Sequence, residues 1–382
     1  MTTPRRLLHH RIEGPAEAPV VVLGPSLGTS LHVWDGIVPA IARAYRLVRF
    51  DLPGHGASAP ELVKAGASVD DLAALVLELA DHLGIGTFAY AGVSLGGAIG
   101  GHLAVHHPQR LSALALICSS ARFGEPEAWQ ARAALVRGEG TKQLADSAHA
   151  RWFTPGFDGP EAAELTADQR NTDPAAYAAC CDALATFDLR DQLPRITAPT
   201  LVVAGREDKA TPPPHARALA DGIRSATLLE LPGAAHLAPV EQPDAVAEAV
   251  LRLLPPTLSP GMRARRAVLG DAHVDRAIAR TTDFTVTFQD FITRYAWGEI
   301  WTRQSLDRAT RSCITLTALV AGGHHDELAM HVRAALRNGL TAQQIGEVLL
   351  QTAVYCGVPA ANSAFAIAQQ VLDQDDSQGV DT

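Results

Sequence analysis

The sequence predicts an α/β fold followed by a separate all-α domain, and three observations carry that prediction. Up to about Leu254, short apolar runs alternate with helical stretches, the pattern of a parallel sheet covered by helices. A break follows at Leu254-Pro255-Pro256-Thr257-Leu258-Ser259-Pro260-Gly261, where closely spaced prolines stop any helix. Beyond it strand signals vanish and only helical spacing remains.

In chain order, Val20–Leu23, Leu47–Phe50, Thr87–Ala91, Ala113–Ile117 and Thr200–Ala204 read as strands, each bounded by Gly, Pro or a polar turn. Asp70–Leu83 and Gly97–His106 show helical spacing between them. From about Ala121 to Arg195 the rhythm breaks. This stretch is helical in composition and holds Trp129, Trp152, Phe153, Phe157 and Phe187, so it predicts a cap over a binding site. The expected layout is a first domain over 1–254 with its cap at about 121–195, then a linker over 255–262. An all-α domain over 263–373 and a polar, frayed tail over 374–382 complete it. Within the second domain, helices are expected at Arg263–Ala279, Phe284–Trp297, Leu306–Val320, Asp326–Arg337, Ala342–Tyr355 and Ala360–Leu372. Asn338-Gly339 supplies a helix stop, and Thr341 with Gln344 a capping box.

A chain of 382 residues with 47% hydrophobic content can fill two cores without disulfides or metals. The net charge of −9 argues against nucleic acid as a partner. Arginine supplies nearly all the positive charge, since Lys64, Lys142 and Lys209 are the only lysines, which leaves anionic substrates open. The five cysteines lack metal-ligand spacing and read as thiols in a reducing compartment. Met1 to Gly14 shows no apolar signal region, and no run approaches membrane length. A soluble, cytoplasmic protein with no membrane partner is the expectation.

Chemistry first appears at Gly92-Val93-Ser94-Leu95-Gly96, between an apolar strand and a helical run. Such a turn is so tight that side chains two positions either side of the serine would collide, and glycines relieve this. A serine hydroxyl needs a base to take its proton. The strand Leu201–Ala204 runs into Gly205-Arg206-Glu207-Asp208, placing Asp208, with Glu207 as its rival, where an orienting carboxylate belongs. Gly233-Ala234-Ala235-His236 then supplies a loop-borne base. Small residues at Pro25-Ser26-Leu27-Gly28 let a backbone N–H approach substrate, so the N–H groups of Leu27 and Leu95 are the candidate oxyanion hole. Trp34 and Trp129 are candidate substrate contacts.

With the further loop Phe50-Asp51-Leu52-Pro53-Gly54-His55-Gly56-Ala57-Ser58, residues 1–254 resemble an α/β-hydrolase. Within that superfamily they are similar to 3-oxoadipate enol-lactonases, especially in Ser26-Leu27-Gly28-Thr29-Ser30-Leu31-His32-Val33-Trp34. Pro25-Ser26 stands where many relatives have His-Gly.

Residues 263–372 resemble the carboxymuconolactone decarboxylase family in Trp297-Gly298-Glu299-Ile300-Trp301, Asp307–Leu319 and the run His331 to Thr341. Relatives on that scaffold carry a Cys-x-x-Cys pair and an assisting glutamate. Here those positions fall on His324, Glu327 and Ser312, so thiol peroxidase chemistry by that route is excluded. The shared histidine is present as His331. The resemblance implies decarboxylation without cofactor or metal, with His331 as the acid, Glu299 second, and Arg333 or Arg311 on a substrate carboxylate. It also implies a homo-oligomer assembled through the helical domain. Cys313 and Cys356 sit in apolar runs and read as core.

The two resemblances name consecutive reactions on small-molecule lactone carboxylates. Decarboxylation of 4-carboxymuconolactone gives 3-oxoadipate enol-lactone, and hydrolysis opens that lactone to 3-oxoadipate. A bifunctional enzyme of protocatechuate breakdown is the expectation. The alternative is a general esterase fused to a non-catalytic helical oligomerisation module.

Overall fold

A computed structural model of the chain describes residues 7–255 and 259–378. It divides into two compact units, Met1–Thr257 and Leu258–Thr382.

The first unit is a seven-stranded sheet in the order β1-β3-β2-β4-β5-β6-β7. β1 (His10–Glu13) pairs antiparallel with β3 (Arg46–Phe50). β2 (Val20–Gly24), β4 (Phe88–Val93), β5 (Leu111–Ile117), β6 (Thr200–Gly205) and β7 (Ala226–Leu231) extend it in parallel. β4 and β6 are buried at every position, which is why they read as continuous apolar runs. β1 was not expected: its sequence, His-Arg-Ile-Glu, carries too few apolar residues to announce an edge strand.

Two hydrophobic layers cover the sheet. Leu72, Val76, Leu79, Leu103 and Val105, from α1 (Val69–His82) and α2 (Leu95–His106), belong to one. Val246 and Val250 of a helix at Pro243–Leu253 join Trp34, Ile37 and Ile41 in the other. Ser68 starts α1 with a full capping box to Asp71. Between β5 and β6 lie α3 (Pro126–Glu139), two short turns at Lys142–Asp146 and Ala148–Trp152, α4 (Pro160–Asn171) and α5 (Pro174–Thr186).

In the second unit, the single helix expected over Arg263–Ala279 is two, α6 (Pro260–Leu269) and α7 (Asp271–Ala279). Gly270, at φ 84°, turns the chain between them. α6 also begins inside the expected linker, because Pro260 occupies a first-turn position and the Ser259 side chain accepts from the Met262 N–H. Residues 256–258 of that linker lie outside the described residues. α8 (Val286–Ile292) continues into a π-wound segment, Thr293–Ile300. Gly261 lets α6 approach it: a Cβ there would stand 1.9 Å from the Thr293 carbonyl oxygen. α9 (Arg308–Gly322), α10 (His325–Arg337), α11 (Ala342–Cys356) and α12 (Val358–Gln378) follow. The Thr341–Gln344 capping box is formed. α12 runs on to Gln378, beyond the point where a frayed tail was expected, and residues 379–382 lie outside the described residues. Among the described residues no helix is long and apolar enough to cross a membrane.

Candidate active site

Between β4 and α2, Ser94 holds φ 54° and ψ −114°, a left-handed conformation costing an L-residue roughly 1–3 kcal/mol. The Ser94 N–H donates to the Ile117 carbonyl at 3.0 Å, and the Ser119 hydroxyl donates to the Ser94 carbonyl at 2.8 Å. The end of β5 and the residues after it therefore clamp the strained turn. A Cβ on Gly92 would stand 2.2 Å from the Gly96 carbonyl, and one on Gly96 2.2 Å from the Gly24 oxygen. Only glycine fits either position.

Asp208 follows β6 and His236 follows β7, so parallel neighbours deliver both to the same sheet end. The His236 Nδ1 lies 2.9 Å from the Asp208 Oδ2, and both residues are buried. The Ala210 and Thr211 N–H groups donate to Asp208 Oδ1 at 2.7 and 3.0 Å, and the Thr211 hydroxyl donates to Oδ2 at 2.7 Å. Burial works to raise the Asp208 pKa, but His236 and the Thr211 bonds outweigh it and lower it to about 2. Glu207 does other work: it accepts the N–H groups of Gly233 and Ala234, fixing the loop that leads to His236.

Ser94 and His236 line one cavity of about 290 Å³ with Leu27, Trp129, Arg132 and Arg151. Among the described residues neither the Leu27 N–H nor the Leu95 N–H meets a protein acceptor, although both residues are buried. Two unsatisfied donors beside a strained serine are what an oxyanion hole requires. The loop carrying Leu27 is pinned by His55. Its Nδ1 donates to the Pro53 carbonyl at 2.8 Å, and its Nε2 accepts the Gly28 N–H at 3.0 Å. Complete burial pushes the His55 pKa down to about 4, keeping that imidazole neutral.

Trp34 requires a correction. It is fully buried in the core between the sheet and Pro243–Leu253, not in the cavity, because its short helical turn (Leu31–Trp34) faces inward. Sequence reasoning missed the cavity's cations. Arg132 lies over the Trp129 ring at 4.7 Å. Arg151 donates to Ser147, Leu144 and Gln169, none of them a carboxylate, and burial lowers its pKa. Helical spacing within the cap could have found them, since Trp129 and Arg132 are one turn apart.

In the helical unit His331 is half-buried on α10. Burial, then the nearby His273, lower its pKa, while Glu327 raises it. Its neighbours Met330 and Arg333 line a cavity of about 580 Å³ that also holds His273. Glu299 is exposed and lines a different cavity, with Pro260, Asp290 and Arg294. The structure therefore does not bring Glu299 and His331 into one pocket, because the π-wound segment turns Glu299 outward. Arg311 lines neither cavity and donates to the Arg303 carbonyl at 3.1 Å, so Arg333 alone of the two lines the cavity that holds His273; His331 itself lines neither. Ser312 is buried and accepts from the Asn338 amide at 3.0 Å.

Comparison with known proteins divides the chain the same way. Residues 19–153 match the alpha/beta hydrolase fold model, residues 170–261 a TAP-like protein model, and residues 287–370 the carboxymuconolactone decarboxylase family. A 3-oxoadipate enol-lactonase of Acinetobacter baylyi is 39% identical over 246 residues, covering 64% of this chain and 91% of that protein. A 4-carboxymuconolactone decarboxylase of the same organism is 45% identical over 112 residues, covering 29% of this chain and 84% of its own. The crystal structure of the enol-lactonase from Burkholderia xenovorans superimposes with a TM-score of 0.62 at 38% identity, covering 64% of this chain and 95% of that one. The chain thus belongs to two families at once, the α/β-hydrolases through its first unit and the carboxymuconolactone decarboxylases through its second.

Proposed function

We propose that this protein is a bifunctional enzyme that decarboxylates 4-carboxymuconolactone to 3-oxoadipate enol-lactone and then hydrolyses the lactone to 3-oxoadipate. The observation that carries the reading is the pairing itself. Two independent segments of one chain resemble enzymes whose named substrates and product chemistry are consecutive.

In the hydrolytic step, His236 takes the Ser94 proton while Asp208 holds the imidazole in the tautomer with Nδ1–H. Ser94 Oγ attacks the lactone carbonyl, and the Leu27 and Leu95 N–H groups receive the negative oxygen. Collapse breaks the ring C–O bond, and His236 protonates the departing enol oxygen. Water, deprotonated by His236, then releases the acyl group, and the enol becomes the ketone. Arg132, Arg151 and Trp129 hold the substrate's free carboxylate and ring. In the decarboxylation the C–CO₂ bond breaks and its electron pair delocalises through the ring to the lactone oxygen. His331 then protonates carbon, and Arg333 faces a carboxylate.

The same reading makes the helical unit an assembly surface for further copies of the chain in a reducing, cytoplasmic setting. Large apolar side chains stand exposed there, among them Phe284 at 94%, Tyr355 at 79% and Val354 at 76%. The cysteines Cys118, Cys180, Cys181, Cys313 and Cys356 are all free.

Supplying the two lactones separately tests the assignment. Each should be consumed by the purified protein, with CO₂ released only from 4-carboxymuconolactone. Enol-lactone consumption with no CO₂ from the other compound would leave a hydrolase carrying a non-catalytic helical module.

A further inference from the structure

Three guanidinium groups of the helical unit converge on one cavity, and none of the three is paired with a carboxylate among the described residues. Arg276, Arg333 and Arg337 line the space of about 580 Å³ bounded by α6, α7 and α10, together with Arg266, Asp271, His273 and Met330. Arg266 is already neutralised, by Asp271 at 3.0 Å and Asp275 at 2.6 Å. The others meet only neutral groups. Arg333 donates to the Gln374 amide oxygen at 2.7 Å, and Arg337 to the Val268 carbonyl at 3.1 Å. Arg337 also lies against Gly270, where a Cβ would stand 2.9 Å from its Nη2. Arg276 has no hydrogen-bond or ion-pair acceptor among the described residues.

Like charges gathered in a concavity repel one another, and an anion placed between them relieves the repulsion. His273 registers that field: burial first, then Arg276, Arg265, Arg337 and Arg280, lower its pKa. Guanidinium forks suit carboxylates because both are planar and can make two parallel hydrogen bonds.

We propose that this cavity binds the carboxylate that 4-carboxymuconolactone retains through decarboxylation, with Arg276, Arg333 and Arg337 as its ligands and His273 on its wall. The proposal rests on the decarboxylase reading above. The substrate carries two carboxylates. One leaves as CO₂, giving its electron pair to the ring and the lactone oxygen, and the other keeps its charge throughout. An arginine pair on the leaving group would stabilise the ground state and oppose the reaction. Guanidinium contacts to the retained group hold substrate and dienolate equally. They therefore act mainly on KM.

Arg276→Gln and Arg333→Gln in the full-length protein test this, because neither side chain is tied to a buried partner. Each should raise KM for 4-carboxymuconolactone by ~10–100-fold, with kcat changed far less and enol-lactone hydrolysis unaltered. Unchanged KM in both variants, with wild-type decarboxylation intact, would overturn the cavity assignment and leave the decarboxylase reading standing. Calorimetric titration with tricarballylate, an unreactive polycarboxylate, separates the opposite failure. Saturable binding lost in the double variant supports the cavity even if no CO₂ is released. Absence of wild-type binding together with absence of CO₂ release overturns it.

Discussion

The two candidate sites are built on opposite principles. In the hydrolase unit the chemistry is enclosed: Ser94, Asp208 and His236 are buried, and Asp208 accepts four hydrogen bonds that fix its direction. In the helical unit the groups that matter are cations around an open space, tied to few partners. The first site works through backbone geometry, a strained serine and preplaced donors. The second, in the proposal above, works through charge on an anionic substrate. Catalysis that builds negative charge on one oxygen rewards rigid donors, whereas holding an already charged substrate needs only converging cations.

Substitutions should separate the two designs. Ser94→Ala removes the nucleophile, and enol-lactone hydrolysis should fall on the order of 10⁶-fold while CO₂ release continues. Asp208→Asn leaves His236 without its orienting carboxylate and should cost roughly 10⁴-fold in kcat. Glu207→Gln, one residue earlier, should cost about tenfold or less, since Glu207 only braces a loop. Steady-state kinetics on each variant would show the contrast, and equal losses at 207 and 208 would contradict it.

Acid should destabilise the enclosed unit in two stages. The folded pKa of His55 is about 4 against 6.5 when exposed, so the fold favours its neutral form. That stabilisation, about 3 kcal/mol, is complete above pH 6.5 and is lost as pH falls toward 4. Asp208 is lowered from 3.8 to about 2, so its contribution of about 2 kcal/mol is lost only as pH falls below about 4. Denaturant melts across pH should show the upper stage vanish in His55→Gln and the lower one persist. The smallest expected effect is on assembly: Tyr355→Glu should shift sedimentation toward smaller species with both activities measurable in the product.

How much of this was legible in sequence follows the same division. Gly92, Ser94 and Gly96 announce themselves because the turn's sterics admit no other residues at the flanks. Parallel strands are legible because burial on both faces leaves continuous apolar runs. Trp34 was misread because an aromatic beside a glycine loop looks the same whether it faces core or cavity. Arg276 and Arg337 were invisible: they lie on different helices, and only the turn at Gly270 brings α7 back toward α10. Glu299 was read from the resemblance of its segment, which carries no orientation, and the π-wound segment leaves it exposed and in a different cavity from Arg333.

The most direct test of the central claim is a time course of the Ser94→Ala protein with 4-carboxymuconolactone. Release of one CO₂ per substrate with enol-lactone accumulating, where wild type yields 3-oxoadipate, is the predicted result. Failure of both proteins to release CO₂ would contradict the account.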